Sequence, residues 1–407
     1  MSGRARDIPD LDAPDRAEGP TALAGAGKVV PARIGGRPVS VVTDYATALA
    51  LMDTERFPPT PLNGARPLHC PVAGVLRPAG DTIFGQSYRE FMANTDSEGI
   101  RSRAIESADR LTGRFVERGR ADLLTDYAQP LAREVFAGLL GLSESVEPLV
   151  VEAATALRAA ADLDAAAHRL LTVVAEAIAT GQASPSTGFA RAPHSSPEHS
   201  ARCVAALYAA GLEPTWNLIA NTLLRLMIDP DLDPIRHGGG VSVEAAVELT
   251  VLRDPPIPYA VVAYPHTPVE FEHGWLSHEV PVIVSILDCH RDLDRAELPG
   301  GQDAHLGFGA RDRQCPAARM ARTVAVSAVE MLLDWVPDIA WGSPNPPRYL
   351  PGAARRGLTA LPVVFAPTHL MNPLHETATF SEAERRRIEQ RDSDFERPRS
   401  GRHRRSR

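Results

Sequence analysis

The sequence predicts a mainly α-helical fold with small antiparallel β-sheets. Apolar residues recur every three or four positions from about 87 to 180 and again at about 200–228, which is the spacing of helices with one buried face. Short segments rich in valine flank Gly35-Gly36, a pair that permits the positive φ angles of a hairpin turn. With 407 residues, 44% of them hydrophobic, the chain can bury a large core.

The first half of the chain divides into a hairpin and a helical body. The segments KVVPARI and RPVSVVT form the predicted hairpin, and a helix begins near Asp44. The helical body follows to about residue 180. The segment 181–200 is rich in serine, proline and glycine, which indicates a mobile surface loop.

The second half begins with two helices and continues with strands. The helices cover about 200–228 and 241–253, and the second ends at Asp254-Pro255-Pro256 because proline cannot continue a helix. The strand-like segments PYAVVAY, VEFEH and VPVIVSIL come next. A last strand-like segment, RGLTALPVVFAP, closes the sheet region.

The composition limits the classes of partner. A net charge of −8 gives no general reason to expect nucleic acid or an acidic membrane surface as a partner. No run approaches the ~20 apolar residues of a membrane span, so no membrane anchor is expected. The cysteines lack the CxxC spacing of zinc sites, which favours free thiols in a reducing cytoplasm; they are Cys70, Cys203, Cys289 and Cys315.

One of these cysteines is placed for chemistry. Cys315 lies at the predicted N-terminus of a long helix, two residues after Arg313, and Pro316 suits the first position of that helix. The helix dipole and the arginine charge are expected to lower the pKa of this thiol, which is ~8.5 in a free cysteine. A glycine-bearing loop that ends in such a thiolate can hold a haem iron as its axial ligand. The plain alternative is a small buried cysteine beside a loop.

The loop resembles the haem-binding loop of the cytochrome P450 family, which reads Phe-Gly-x-Gly-x-(His/Arg)-x-Cys-x-(Gly/Ala). Five of the six fixed positions match, and Arg311 stands where the family has glycine. The matching residues are Phe308, Gly309, Arg313, Cys315 and Ala317. The segments AAGLEPTWNLIANTLL, AVELTVLRDPPI and RGLTALPVVF also come in family order, so the resemblance extends from about residue 28 to 367.

The resemblance implies a cytochrome P450 fold, with a single domain over 26–367. The polar composition on either side predicts a disordered lead at 1–25 and a disordered, Arg-rich tail at 368–407. The family carries haem b (iron protoporphyrin IX) and inserts oxygen into substrates with electrons from a redox partner. For this chain the resemblance implies a monooxygenase with a small apolar substrate, a ferredoxin-type electron donor and Cys315 as the ligand of the iron.

Further site residues are implied position by position. Glu213 falls at the family's distal acid. Ala210 and Gly211 would line the oxygen groove, and Arg103 and Arg313 would hold the haem propionates. The remaining cofactor-binding positions are those of the cysteine loop: Phe308, Gly309 and Ala317.

The central helix departs from the family pattern Ala-Gly-x-(Glu/Asp)-Thr. Pro214 takes the place of the alcohol, and Thr215 follows one position later. A proline inside a helix costs roughly 3 kcal/mol and frees the carbonyl of Ala210, so we expect the opening of this helix to be kept or widened. Glu213 and Thr215 point about 200° apart on a regular helix, so Thr215 supplies the missing hydroxyl only if the kink turns it inward.

A second departure removes the family's Glu-x-x-Arg pair, whose positions carry Leu249 and Leu252. Replacing a whole buried ion network by apolar residues is often neutral or stabilising, so we expect these leucines to fill an apolar core. Two positions that usually help to hold the propionates, Gly99 and Val262, also carry no cation.

The departures leave two alternatives to a dioxygen-dependent monooxygenase. One is a catalytically degenerate, P450-like partner or scaffold protein. The other is a peroxide-dependent haem enzyme, which would not need the full proton relay to dioxygen.

Overall fold

The structure is a computed structural model. It describes residues 8–12, 23, 27–55, 57, 82–159, 162–183, 197–232, 242–271, 274–278, 280–295 and 304–368. The chain from Met1 to Pro367 forms one compact unit. The predicted tail at 368–407 lies outside the described residues, apart from Thr368, and so does most of the predicted loop at 181–200.

The predicted hairpin forms one edge of a four-stranded sheet. Strands β1 (Val29–Ile34) and β2 (Arg37–Val42) pair antiparallel, with Val29 opposite Val42. Strand β7 (Val282–Ser285) adds to β2 in parallel, and β4 (Tyr259–Ala263) adds to β7 in antiparallel fashion. The order is β1-β2-β7-β4, so this sheet is mixed rather than purely antiparallel as predicted.

Two smaller antiparallel sheets complete the β structure of the described residues. In the three-stranded sheet, β9 (Pro362–Val364) lies between β3 (Arg120–Asp122) and β8 (Ala340–Trp341). Strands β5 (Val269–Phe271) and β6 (Gly274–Leu276) form a separate hairpin.

Most of the described chain is helical. The α-helices are α1 (Tyr45–Ala50), α2 (Thr82–Ala93), α3 (Ser97–Thr112), α4 (Gln129–Leu140), α5 (Glu147–Ala159), α6 (Leu163–Ala179), α7 (Pro197–Leu207), α8 (Glu213–Ile228), α9 (Val243–Arg253), α10 (Ile286–Arg295) and α11 (Ala318–Trp335). Several begin at a side chain that accepts a hydrogen bond from a backbone N–H of the first turn. These N-cap residues are Asp44, Asp96, Asp162 and Ser242.

The core is built around α8. Nearly every side chain from Glu213 to Leu226 on this helix is buried, so neighbouring elements cover it on all sides. Helices α3 and α11 pack against each other beside it, and the hydroxyl of Tyr127 donates to the carbonyl of Ala328 at 2.6 Å. Breaking this bond would leave a buried phenol hydroxyl without a partner, which costs free energy. The bond therefore holds the segment before α4 against α11.

Residues 8–12 differ from the disordered lead predicted for 1–25. The N–H of Leu11 donates to the carbonyl of Arg33, and the N–H of Arg33 donates to Pro9, both at 2.8 Å. The side chain of Leu11 is buried against the inner face of the hairpin. Asp12 accepts from the N–H of Ala353 at 2.8 Å, so this short segment ties the hairpin to the region after α11.

No helix among the described residues is long and apolar enough to cross a membrane.

We predict that Leu11→Ala lowers the free energy of unfolding by about 2 kcal/mol, because it leaves a cavity under the hairpin. Ile8→Ala is the matched control, since the side chain of Ile8 is 51% exposed, and its effect should stay within about 0.5 kcal/mol. The midpoint of urea unfolding measures both variants. Equal midpoints for the two variants would show that the lead contributes nothing to the fold.

Candidate functional site

The loop before Cys315 closes on itself. The N–H of Cys315 donates to the carbonyl of Phe308 at 2.7 Å, and the N–H of Gly309 donates to Leu306 at 2.8 Å. Gly309 has a φ of +70°, and a Cβ at this position would overlap the carbonyl oxygen of Arg313. Only glycine suits this tight return of the chain, which presents the thiol at the start of α11.

Backbone donors and one cation surround the Cys315 sulfur. Burial raises the pKa of the thiol, while the N–H groups of Ala317 and Ala318 and the positive charge of Arg322 act in the opposite direction. Burial prevails, so the pKa lies above its ordinary value and the predicted lowering is wrong. The cation that acts on the thiol was also missed: it is Arg322, two helical turns further along the chain.

Arg311 and Arg313 have different roles in the loop. Arg311 has a φ of +49°, and it is the non-glycine residue with a positive φ in the described chain. It therefore has a backbone conformation that favours glycine, at the position where the loop pattern reads glycine. The guanidinium of Arg313 donates to the carbonyl of Phe57, which attaches the loop to the segment after α1.

Arg103, the other predicted propionate ligand, is placed differently. It lies on α3 with an exposed side chain, and its guanidinium covers Gly138 of α4 so closely that a Cβ there would overlap it. The two arginines thus contact different parts of the chain.

The central helix carries the predicted opening. Residues Tyr208–Leu212, which include Ala210 and Gly211, form a π-helical turn between α7 and α8. Pro214 then lies in the first turn of α8. Pro214 has no N–H to donate to the Ala210 carbonyl, so a regular α-helix would lack one hydrogen bond here. The wider π-helical turn accommodates this loss.

Thr215 does not replace the missing alcohol in a simple way. Its side chain is buried, and its hydroxyl donates to the carbonyl of Gly211 at 2.7 Å. The hydroxyl proton is thus held by the helix itself.

Glu213 begins a buried polar seam, which we define as Glu213, Asn217 and Asn221 on one face of α8. Arg355 lies 3.9 Å from the Glu213 carboxylate, and Asn221 donates to the carbonyl of Arg356 at 3.0 Å. The Nδ2 of Asn217 and the Oδ1 of Asn221 have no hydrogen-bond partner among the described residues. Buried amide groups of this kind bind water, so the seam can carry water to Glu213.

Helix α2 lies near the cysteine loop. Burial, followed by the charges of Cys315 and Cys203, raises the pKa of Tyr88 well above its ordinary value. Tyr88 is therefore close to both the loop thiol and α7, which leads into the π-helical turn. Nothing in the sequence pattern marked this tyrosine.

The positions of the missing Glu-x-x-Arg pair lie on α9. Leu252 is buried, and Leu249 packs against the main core while partly exposed. The expected apolar replacement is incomplete, however, because the neighbouring Glu248 makes an ion pair with Arg322, 2.5 Å between Oε1 and Nε. A charged cluster therefore lies next to the two leucine positions.

The sequence is similar to those of several known proteins, although no model of a protein family matches the chain. The cytochrome P450 107B1 of Saccharopolyspora erythraea is 28% identical over 285 residues, which cover 65% of this chain and 70% of that protein. The cytochrome P450 monooxygenase PikC of Streptomyces venezuelae is 33% identical over 164 residues, 39% of each chain. The mycinamicin IV hydroxylase/epoxidase of Micromonospora griseorubida is 27% identical over 293 residues, covering 66% of this chain and 73% of that protein.

Solved structures match over more of the length. The crystal structure of CYP154A1 from Streptomyces coelicolor A3(2) superposes with a TM-score of 0.71 at 21% identity, covering 88% of this chain and 100% of that one. The cytochrome P450 PksS of Bacillus subtilis superposes with a TM-score of 0.72 at 18% identity, covering 84% of this chain and 95% of that one. These relatives are cytochrome P450s, and their similarity supports the predicted cytochrome P450 family for this chain. The predicted P450 fold is confirmed.

The same relatives support the cofactor and the broad chemistry. The cofactor is haem b, and the chain is a monooxygenase-like oxidoreductase. The roles of individual site residues stay predictions, since they rest on the geometry of this chain alone.

We predict that Arg311→Gly raises the thermal midpoint of unfolding by roughly 2 °C, because glycine adopts a positive φ without the ~1 kcal/mol that a side chain costs. Ala310→Gly is the control, because Ala310 has an extended backbone with a φ of −152° and should lose stability from the added freedom of the unfolded chain. Scanning calorimetry measures both midpoints. A lower midpoint for Arg311→Gly would show that its side-chain contacts outweigh the strain.

Proposed function

We propose that the chain is a haem-thiolate monooxygenase in which Cys315 is the axial ligand of the iron. The observation that carries the proposal is the closed loop before Cys315. The carbonyl of Phe308 accepts from the N–H of Cys315, and the N–H groups of Ala317 and Ala318, at the start of α11, face the Cys315 sulfur. Gly309 has no Cβ, so the chain can return past the carbonyl of Arg313 and present the thiol at the start of α11. These features fit the thiolate ligand of a haem.

Binding to iron also explains how a thiol with a raised pKa becomes a thiolate. A metal ion favours the deprotonated ligand directly, so the burial that raises the pKa of the free thiol does not prevent ligation. The Ala317 and Ala318 donors then stabilise the sulfur charge. The bound haem supplies the oxygen chemistry, which thiolate ligation favours.

Other residues of the chain are proposed to bind the haem propionates or to line the oxygen groove. Arg313 donates to the Phe57 carbonyl and is proposed as one propionate ligand, because a guanidinium suits a carboxylate partner. Arg103 is proposed as the second propionate ligand, with Phe308 and Ala317 on the flanks of the loop. Ala210 and Gly211 in the π-helical turn are proposed to line the oxygen groove.

Glu213 is proposed to hold and transfer protons. It is buried at the end of the polar seam, where Asn217 and Asn221 can position water, and Arg355 faces its carboxylate. The electron donor is proposed to be a ferredoxin. The substrate is proposed to be small and apolar, and the compartment is proposed to be the cytoplasm.

We predict that Cys315→Ala weakens haem retention at least about 100-fold, because removing a ligand costs more than removing its supporting partner. Cys289→Ala is the control, since that thiol is buried under the four-stranded sheet and its loss should leave one haem per chain. Haem content after gel filtration measures both. Full haem retention by Cys315→Ala would contradict the ligand assignment, and a wild-type chain that binds no haem would favour a scaffold role.

A peroxide-driven form of the same chemistry is a second candidate, favoured by one observation. The Thr215 hydroxyl is bonded to Gly211, and Pro214 occupies the usual alcohol position, so proton delivery depends on Glu213 alone. Hydrogen peroxide already carries the two protons that leave in water, so this route needs no net proton delivery from the protein.

We predict that Glu213→Gln slows cleavage of a fluorogenic alkyl aryl ether at least about 100-fold when ferredoxin and dioxygen drive the reaction, because an amide is a poor general acid. The same variant should be unchanged with hydrogen peroxide. Equal slowing in both assays would assign Glu213 a structural role. Turnover of the wild type with peroxide alone would establish the second candidate.

A further inference from the structure

A charged cluster lies beside the cysteine loop, formed by Glu248 of α9, His305 before the loop and Arg322 of α11. The Glu248 carboxylate binds Arg322 through both oxygens, at 2.5 and 3.2 Å. Its Oε2 also lies 2.7 Å from the Nε2 of His305. These partners are 57 and 74 residues away from Glu248 in sequence, so the cluster joins three separate parts of the chain.

The hydrogen bonds of His305 define its protonation pattern. The N–H of Gly307 donates to Nδ1 at 3.3 Å, so Nδ1 is an acceptor and Nε2 carries the proton that Glu248 accepts. Gly307 precedes Phe308, whose carbonyl holds the N–H of Cys315. A continuous set of bonds therefore runs from Glu248 through His305 to the cysteine loop.

Arg322 reaches the same loop from the other side. Its guanidinium carbon lies 4.4 Å from the centre of the Phe308 ring, a cation–π contact, and its charge acts on the Cys315 thiol. Both branches of the cluster thus end at Phe308 and Cys315.

The cluster is buried enough for its charges to matter. The side chain of His305 is 3% exposed and that of Glu248 is 12% exposed. Burial raises the pKa of Glu248, but the bonds from His305 and Arg322 outweigh it and hold this pKa below its ordinary value, so the carboxylate stays ionised. A paired carboxylate of this kind cannot lose a partner without leaving a poorly solvated charge.

We propose that Glu248, His305 and Arg322 are positioning residues that lock the Cys315 loop, in place of the Glu-x-x-Arg network that Leu249 and Leu252 have eliminated. The lock concerns how the loop is held, and only its effect on iron ligation rests on the proposed function. It accounts for the retention of an ordered cysteine loop in a chain without the usual network.

The first test measures the protein before haem is added. Glu248→Gln should lower the thermal midpoint by about 5–10 °C and raise the rate at which a thiol reagent labels Cys315. Glu330→Gln is the matched control, because Glu330 lies on the same helix as Arg322 and, among the described residues, makes an exposed pair with Arg101 at 3.9 Å. Its midpoint and labelling rate should equal those of the wild type.

Two substitutions at His305 separate its role as a hydrogen-bond donor from the space that its side chain fills. His305→Gln keeps a donor near the position of Nε2 and should retain most of the protection of Cys315, whereas His305→Leu should lose it. The loaded protein gives a further readout: under dithionite and carbon monoxide, Glu248→Gln should show a smaller thiolate-type fraction of the Soret absorbance than Glu330→Gln.

The outcomes distinguish the lock of the cysteine loop from the proposed ligation of iron by Cys315. If Glu248→Gln matches Glu330→Gln in midpoint and labelling rate, the lock is refuted while Cys315 ligation stands. If the wild type takes up no haem yet Glu248→Gln still loosens the loop, the lock is supported and the proposed function fails.

Discussion

The site depends on one hydrogen bond, from the N–H of Cys315 to the carbonyl of Phe308. It closes a loop whose return is possible because Gly309 has a positive φ and no Cβ. The closure places the sulfur at the start of α11, where backbone donors face it. Two further contacts hold this loop: Arg313 attaches it to the segment after α1, and His305 attaches it to Glu248 of α9.

The central helix meets a different constraint, which is the lack of an N–H at Pro214. The chain accommodates it with a π-helical turn at Tyr208–Leu212 and begins α8 directly afterwards. That solution leaves Glu213 buried at the head of a polar seam, while the Thr215 hydroxyl is bonded within the helix. The proposed proton handling therefore rests on Glu213 and on the water that Asn217 and Asn221 can hold.

Local signals in the sequence predicted what is local in the structure. Gly35-Gly36 predicted the hairpin, and Asp44 predicted the start of α1. The spacing of apolar residues predicted the helical body. Contacts between distant segments were not predictable, because spacing along the chain does not report which elements pack together. The Glu248 cluster, the charge of Arg322 on Cys315 and the packing of Leu11 under the hairpin all belong to this class. The lowered pKa expected for Cys315 was wrong for the same reason, since burial is a property of the fold.

The central claim is that Cys315 binds iron as a thiolate, and the most direct test is the visible spectrum of the dithionite-reduced wild-type protein under carbon monoxide. A Soret band shifted far to the red is the predicted result, because thiolate ligation donates electron density to the iron. A haem-loaded protein whose band stays where neutral ligands place it would contradict the account.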